Sequence, residues 1–148
     1  MTVRRPLAWS GAFLLASALV AGVAHACSCP DPGSAAEQLS KADIMIVARV
    51  SSTRRLPPVG GYAMAETRFV VSETVKGPIR RHWNIRHQRG DSALCGVNFR
   101  PGQTYAFLAR VEDGKVWTGS CDQAFYPLAA YRTAAAVAAP GAARGAGA

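Results

Sequence analysis

All four cysteines of the chain, Cys27, Cys29, Cys95 and Cys121, fall after residue 26, and the first two are separated by a single residue. An even cysteine count in an exported chain reads as a disulfide framework, and four cysteines permit three pairings. A bond between Cys27 and Cys29 would close a small strained ring, so the spacing ties each to a distant partner, Cys95 or Cys121. Either arrangement fastens a segment that would otherwise fray to the body of the domain at two points. Each closure contributes about 4 kcal/mol on the chain-entropy model, and because the two share nearly one anchor they do not simply add.

The residues ahead of Cys27 explain why the thiols should be oxidised. Arg4 and Arg5 precede an apolar run over residues 11–24, and Ala24-His25-Ala26 offers small residues at the two positions a signal peptidase reads. Residues 1–26 therefore read as a secretory signal peptide, to be set aside from the fold. The run is shorter than the roughly 20 residues of a membrane span, so no transmembrane helix is expected. A lipoprotein cut at the same Cys27 is the competing reading. Ala24-His25-Ala26 lacks the usual leucine of such a site, which favours simple export to the periplasm or the exterior.

Removal of residues 1–26 leaves 122 of the 148 residues, with 15 basic against 9 acidic side chains, a net charge of +6. That length suits one domain with a modest core. The charge favours solubility and weak attraction to anionic surfaces without identifying a partner.

Along the chain, Ser34-Ala35-Ala36-Glu37 is a capping-box pattern and predicts a short helix to about Lys41. Residues 44–50 form a nearly continuous apolar, β-branched run, the pattern of a buried strand. Pro57, Pro58, Gly60 and Gly61 mark residues 51–61 as a long exposed connection. Over 64–75, Ala65, Thr67, Phe69, Val71 and Val75 share one face and Glu66, Arg68 and Ser72 the other, a half-buried strand. Residues 81–87 give a further strand with Trp83 and Ile85 on its apolar side. Residues 104–111 and 116–118 form a hairpin through Glu112-Asp113-Gly114-Lys115, where Asp-Gly supplies the positive backbone angles of a tight turn. Five strands and one early helix fit a small barrel. The alanine- and glycine-rich stretch 133–148, interrupted by Pro140 and Arg144, reads as a flexible tail, so the folded domain is expected over 27–132.

Cys27-Ser28-Cys29-Pro30, then residues 41–50 (KADIMIVARV), resemble the opening of the tissue inhibitors of metalloproteinases. So do Val75-Lys76-Gly77, residues 92–97 (SALCGV), Gly102-Gln103-Thr104-Tyr105, Asp113-Gly114-Lys115 and Cys121-Asp122, in the family's order and near its spacing. Each motif alone is weak; the ordered set covers almost all of residues 27–131. The resemblance implies an OB-type barrel of the netrin-like group with disulfides Cys27–Cys95 and Cys29–Cys121. It also implies that the Cys27 amino nitrogen and carbonyl oxygen chelate the catalytic zinc of a partner metalloproteinase, and that Ser28 enters the pocket beside that zinc. Ser92, Ala93 and Leu94 would make adjacent contacts, and the 54–62 segment would lie against the protease rim. The animal inhibitors carry a third disulfide in this domain and a second cysteine-rich domain; neither is present here.

Other features argue for less. His82 and His87 are five residues apart, so on one strand they face opposite sides and do not share a metal; both are expected to face solvent. With Arg80, Arg81, Arg86 and Arg89 they make a basic stretch. One aromatic, Trp83, is too little for stacking on a nucleic-acid strand, which leaves a solvated face, with a polyanion or envelope surface as the minority alternative. Arg89-Gly90-Asp91 matches a three-residue integrin-binding motif, too short to carry weight. No Ser-His-Asp set, carboxylate pair or phosphate loop stands out, so neither enzymatic activity nor a resident cofactor is expected.

Overall fold

The computed structural model describes residues 27–90 and 95–139. The expected signal peptide and residues 91–94 and 140–148 lie outside the described residues. Five strands, β1 (Ile44–Val59), β2 (Tyr62–Lys76), β3 (His82–Gln88), β4 (Thr104–Glu112) and β5 (Lys115–Trp117), form one sheet. The sheet closes in a ring in the order β1-β2-β3-β5-β4, with β1 paired to both β2 and β4. Every pairing is antiparallel except β3 with β5, where Ile85 meets Val116 and Arg86 meets Trp117.

The expected helix is α1 (Ala35–Lys41), and its capping box is complete: the Glu37 amide donates to Ser34 Oγ and the Ser34 amide to the Glu37 carboxylate. The Ser34 amide and hydroxyl, both donating to the Glu37 carboxylate, hold it below its usual range. At the other end, Lys76 Nζ donates to the carbonyls of Leu39 and Ala42, giving a cation to the helix C-terminus. The β4–β5 turn also follows its sequence, with φ of 51° at Asp113 and 69° at Gly114.

Residues 51–61 do not form the expected connection. β1 continues to Val59 and pairs with β2 around a two-residue turn at Gly60 (φ 57°) and Gly61 (φ 82°). The ladder is held by cross-strand side chains: Arg54 with Glu66, and the Thr53 and Thr67 hydroxyls at 2.8 Å. Pro57 and Pro58 sit where the register shifts between Leu56 and Val59, so they interrupt little of the ladder.

Two clusters make the core. Inside the ring, Ile46, Val50, Phe69, Ile85, Phe99 and Phe107 pack together, with the Phe99 ring edge-on to Phe69 at 5.0 Å. Outside it, Met45 and Leu108 pack against Leu39 of α1 and Tyr131 of a second helix, α2 (Leu128–Ala138). Burial on both faces explains the unbroken apolar run at Ile44-Met45-Ile46, whose side chains alternate between the interior and the helices. Helix α2 corrects the expectation of a flexible tail beginning at Thr133. Alanine is the best helix former, Tyr131 is fully buried with its hydroxyl on Gln38, and Arg132 holds Glu73 through two bonds of 2.7 and 2.8 Å. Among the described residues no helix is long and apolar enough to cross a membrane.

His82 is exposed and His87 is 1% exposed, so they face opposite sides as alternation requires, but His87 is a core residue rather than a solvent-facing one. Its Nδ1 lies 3.3 Å from the Gln88 carbonyl, which only accepts, so Nε2 is left to accept from the Thr67 hydroxyl at 2.8 Å. Burial pushes the His87 pKa below its ordinary 6.5. The unfolded chain then binds a proton that the fold refuses. Stability is expected to be complete above about pH 6.5 and to decline as pH falls from there toward the depressed native value. Urea midpoints at neutral and mildly acidic pH should show this slope in the parent chain and lose it in His87→Gln. An equal slope in both would place the titration elsewhere.

Candidate functional site

Strand β5 ends beside a single 3-10 turn, Ser120–Asp122, whose Asp122 amide donates to the Gly119 carbonyl at 3.1 Å. Just before the turn, the buried Thr118 hydroxyl donates to the Leu108 carbonyl at 2.8 Å, and just after it Gln123 bridges to Phe107. Cys121 is thus presented from a turn pinned on both sides to β4. Cys95 has a positive φ of 57°, and Gly96 after it is buried so closely that a Cβ there would meet the Gly90 nitrogen at 2.6 Å.

These two anchors receive the start of the described chain. Cys27 bonds to Cys95 and Cys29 to Cys121, with Cα separations of 5.0 and 5.4 Å. This is the pairing implied by the family resemblance. Cys27 Sγ also lies 3.7 Å from Ser120 Oγ and 4.0 Å from Cys121 Sγ, so the two bonds are side by side. Cys27 and Cys29 are half-buried, and Ser28 between them is exposed. The Sγ atoms of Cys27, Cys29 and Cys121 lie within 4.8 Å of one another, but sulfur held in a disulfide offers no thiolate to a metal. Ser92, Ala93 and Leu94 lie outside the described residues; they run directly into Cys95.

Two clefts flank the tethered segment. One, of about 330 Å³, lies among Met64, Gln88, Cys95, Trp117 and Ser120. The other, of about 190 Å³, is lined by Pro30, Pro32, Gln38, Lys41 and Leu108. Arg110, Cys121 and Asp122 belong to both. Burial pushes the Asp122 carboxyl up, opposed by Arg110, whose guanidinium is 3.4 Å away. No sequence pattern assigned a role to Arg110 or Ser120, and Gly96 entered only as part of the 92–97 motif; the sequence signals near them were that motif and Cys121-Asp122.

The close backbone approach at Gly96 gives a direct test of how tightly this anchor is built. Gly96→Ala forces Cβ against backbone atoms of Arg89 and Gly90, and is expected to destabilise the domain by about 1–3 kcal/mol. Chemical denaturation should show the loss with both disulfides intact; an unchanged midpoint would mean that the 89–90 backbone yields freely. Neither the protein-family models nor the curated proteins compared with this chain give a match.

Proposed function

We propose that the chain, once cut before Cys27, inhibits zinc endopeptidases in the manner of the tissue inhibitors of metalloproteinases. The observation that carries this reading is the exposed Ser28 between two cysteines, each bonded to a different anchor. A catalytic zinc has three protein ligands and a fourth position holding water. The freed Cys27 amine and the Cys27 carbonyl form a two-toothed ligand that displaces that water once the amine gives up its proton. An ordinary α-amino group has a pKa of about 8, and zinc draws it lower. Ser28 then enters the pocket beside the metal, with Ser92, Ala93 and Leu94 alongside. Tethering at both flanking residues removes much of the ordering cost of binding. The zinc belongs to the target, and in this reading the chain is an inhibitor, not an enzyme.

We read the ring of strands as an OB-type barrel of the netrin-like group, supported by its five strands, the double pairing of β1 and the β3–β5 closure. Export without a lipid is supported by the Cys27–Cys95 bond, because a sulfur in a disulfide cannot also carry a thioether-linked lipid. The mature protein then works in the periplasm or outside the cell. A non-inhibitory binding module on the same barrel is the second reading, favoured by a basic cleft at the far end of β3.

Intact mass and N-terminal sequencing of the exported protein, followed by titration against a panel of zinc endopeptidases, test the proposal. A free Cys27 terminus, two disulfides and stoichiometric inhibition are expected. A correct terminus that inhibits no member of a broad panel turns the balance to the binding module.

A further inference from the structure

Strands β3 and β5 run parallel, so their first residues share one end of the ring, while Gln88, the last of β3, lines the cleft beside Cys95. Seven residues of strand separate the two ends by roughly 20 Å. At the far end lies a cleft of about 310 Å³, lined among others by Glu66, Arg80, His82, Trp83, Arg86 and Lys115. Glu66 is already engaged by Arg54 at 2.7 Å and Arg86 at 3.4 Å. No carboxylate among the described residues lies within ion-pair distance of Arg80 or Lys115.

Trp83 makes this more than a patch of surface charge. It is 8% exposed, it belongs both to the lining of the cleft and to the interior cluster, and its buried indole Nε1 has no acceptor among the described residues. A buried N–H without a partner is costly and uncommon. The Arg80 guanidinium lies over the indole ring, 4.5 Å from its centroid, and so covers a face on which a nucleobase would stack. What remains is a set of donors: a guanidinium fork, an ammonium and one neutral indole N–H.

We infer that this cleft binds a phosphate or sulfate ester group. A tetrahedral oxyanion presents several oxygens at once, which suits a fork from the β2–β3 connection, a point charge from β5 and a single N–H from β3 along one cleft. Arg80 and Lys115 supply the charge and the Trp83 indole supplies the neutral donor, with the exposed His82 also in the lining. The site does not depend on the Cys27 terminus, and its distance from that terminus lets both be engaged together.

The mature chain holds two tryptophans, Trp83 and Trp117, and therefore two indole N–H signals in a ¹⁵N-correlated NMR spectrum. Inorganic phosphate and sulfate, added at constant ionic strength, are expected to move the Trp83 signal saturably and more than that of Trp117. Arg80→Ala and Lys115→Ala should each weaken binding about tenfold, and Arg55→Ala, an exposed β1 arginine that does not line the cleft, should leave it unchanged. Trp83→Phe, checked for folding by circular dichroism, should also weaken it; if that variant fails to fold, the Arg80 and Lys115 variants still decide. Phosphatidylglycerol vesicles and a sulfated oligosaccharide then distinguish a lipid headgroup from a glycan as the source, and a response to either supports the site. An unmoved Trp83 signal, or equal weakening by Arg55→Ala, overturns it.

Discussion

A single alanine placed ahead of Cys27 is expected to raise the inhibition constant by about a thousandfold, the equivalent of roughly 4 kcal/mol. The extension converts the Cys27 amine into an amide, whose nitrogen has no lone pair free for zinc, and it inserts a residue where the metal must approach. The fold has no part in the loss. Both disulfides start from side chains, and the capping box, ring and helices begin beyond Cys29. Circular dichroism and thermal midpoint should therefore match the authentic chain while inhibition disappears. Inhibition that survives the extension would falsify the chelation mechanism, whatever the target.

The second large effect is on stability. Cys29→Ser with Cys121→Ser removes a bond that spans 92 residues, and the loss is expected to be about 4 kcal/mol on the chain-entropy model, lowering the thermal midpoint by roughly 15–20 °C. Removing Cys27–Cys95, which spans 68 residues, should cost nearly as much when tested alone. The two losses should not add, because one bond already returns the first residues to the ring. A double-mutant comparison by denaturant titration reads this directly: full additivity would mean that the two tethers restrain different parts of the unfolded chain. Ser28 inhibition, by contrast, should suffer from either loss, since either frees one flank of the exposed residue.

How far the sequence disclosed this arrangement depended on whether the signal was local. Ser34 with Glu37, and Asp113 with Gly114, are patterns whose physics is complete within four residues, and both elements form where expected. Pro57-Pro58 and Gly60-Gly61 misled because they mark a break in regular structure without saying how long it is. Here the break shrinks to a two-residue turn, since Arg54 meets Glu66 across the ladder. Helix α2 was hidden by composition: one large residue, Tyr131, anchors an otherwise alanine-rich segment, and its partner Gln38 is 93 residues away. His87 was assigned to solvent because a histidine on a basic strand ordinarily faces it, although alternation continues the Trp83 and Ile85 face to His87; its neighbours Phe99 and Thr67 come from other parts of the chain. At the tethered terminus the cysteines were legible as a framework, whereas Arg110 and the contact of Ser120 with Cys27 come only with the closure of the ring.

The neighbouring sulfurs have a consequence for how the molecule is made. With Cys27 Sγ 4.0 Å from Cys121 Sγ, the crossed connectivity, Cys27 to Cys121 and Cys29 to Cys95, requires only a local exchange once a thiolate is present. Such an isomer has the same mass and no free thiol, and it would hold Ser28 between exchanged anchors. Oxidative folding must therefore select one of two connectivities that a single exchange relates, and a catalyst of thiol exchange would act as a proofreader of the terminus. Peptide mapping of the linked cysteines, not thiol counting, is what separates the two populations.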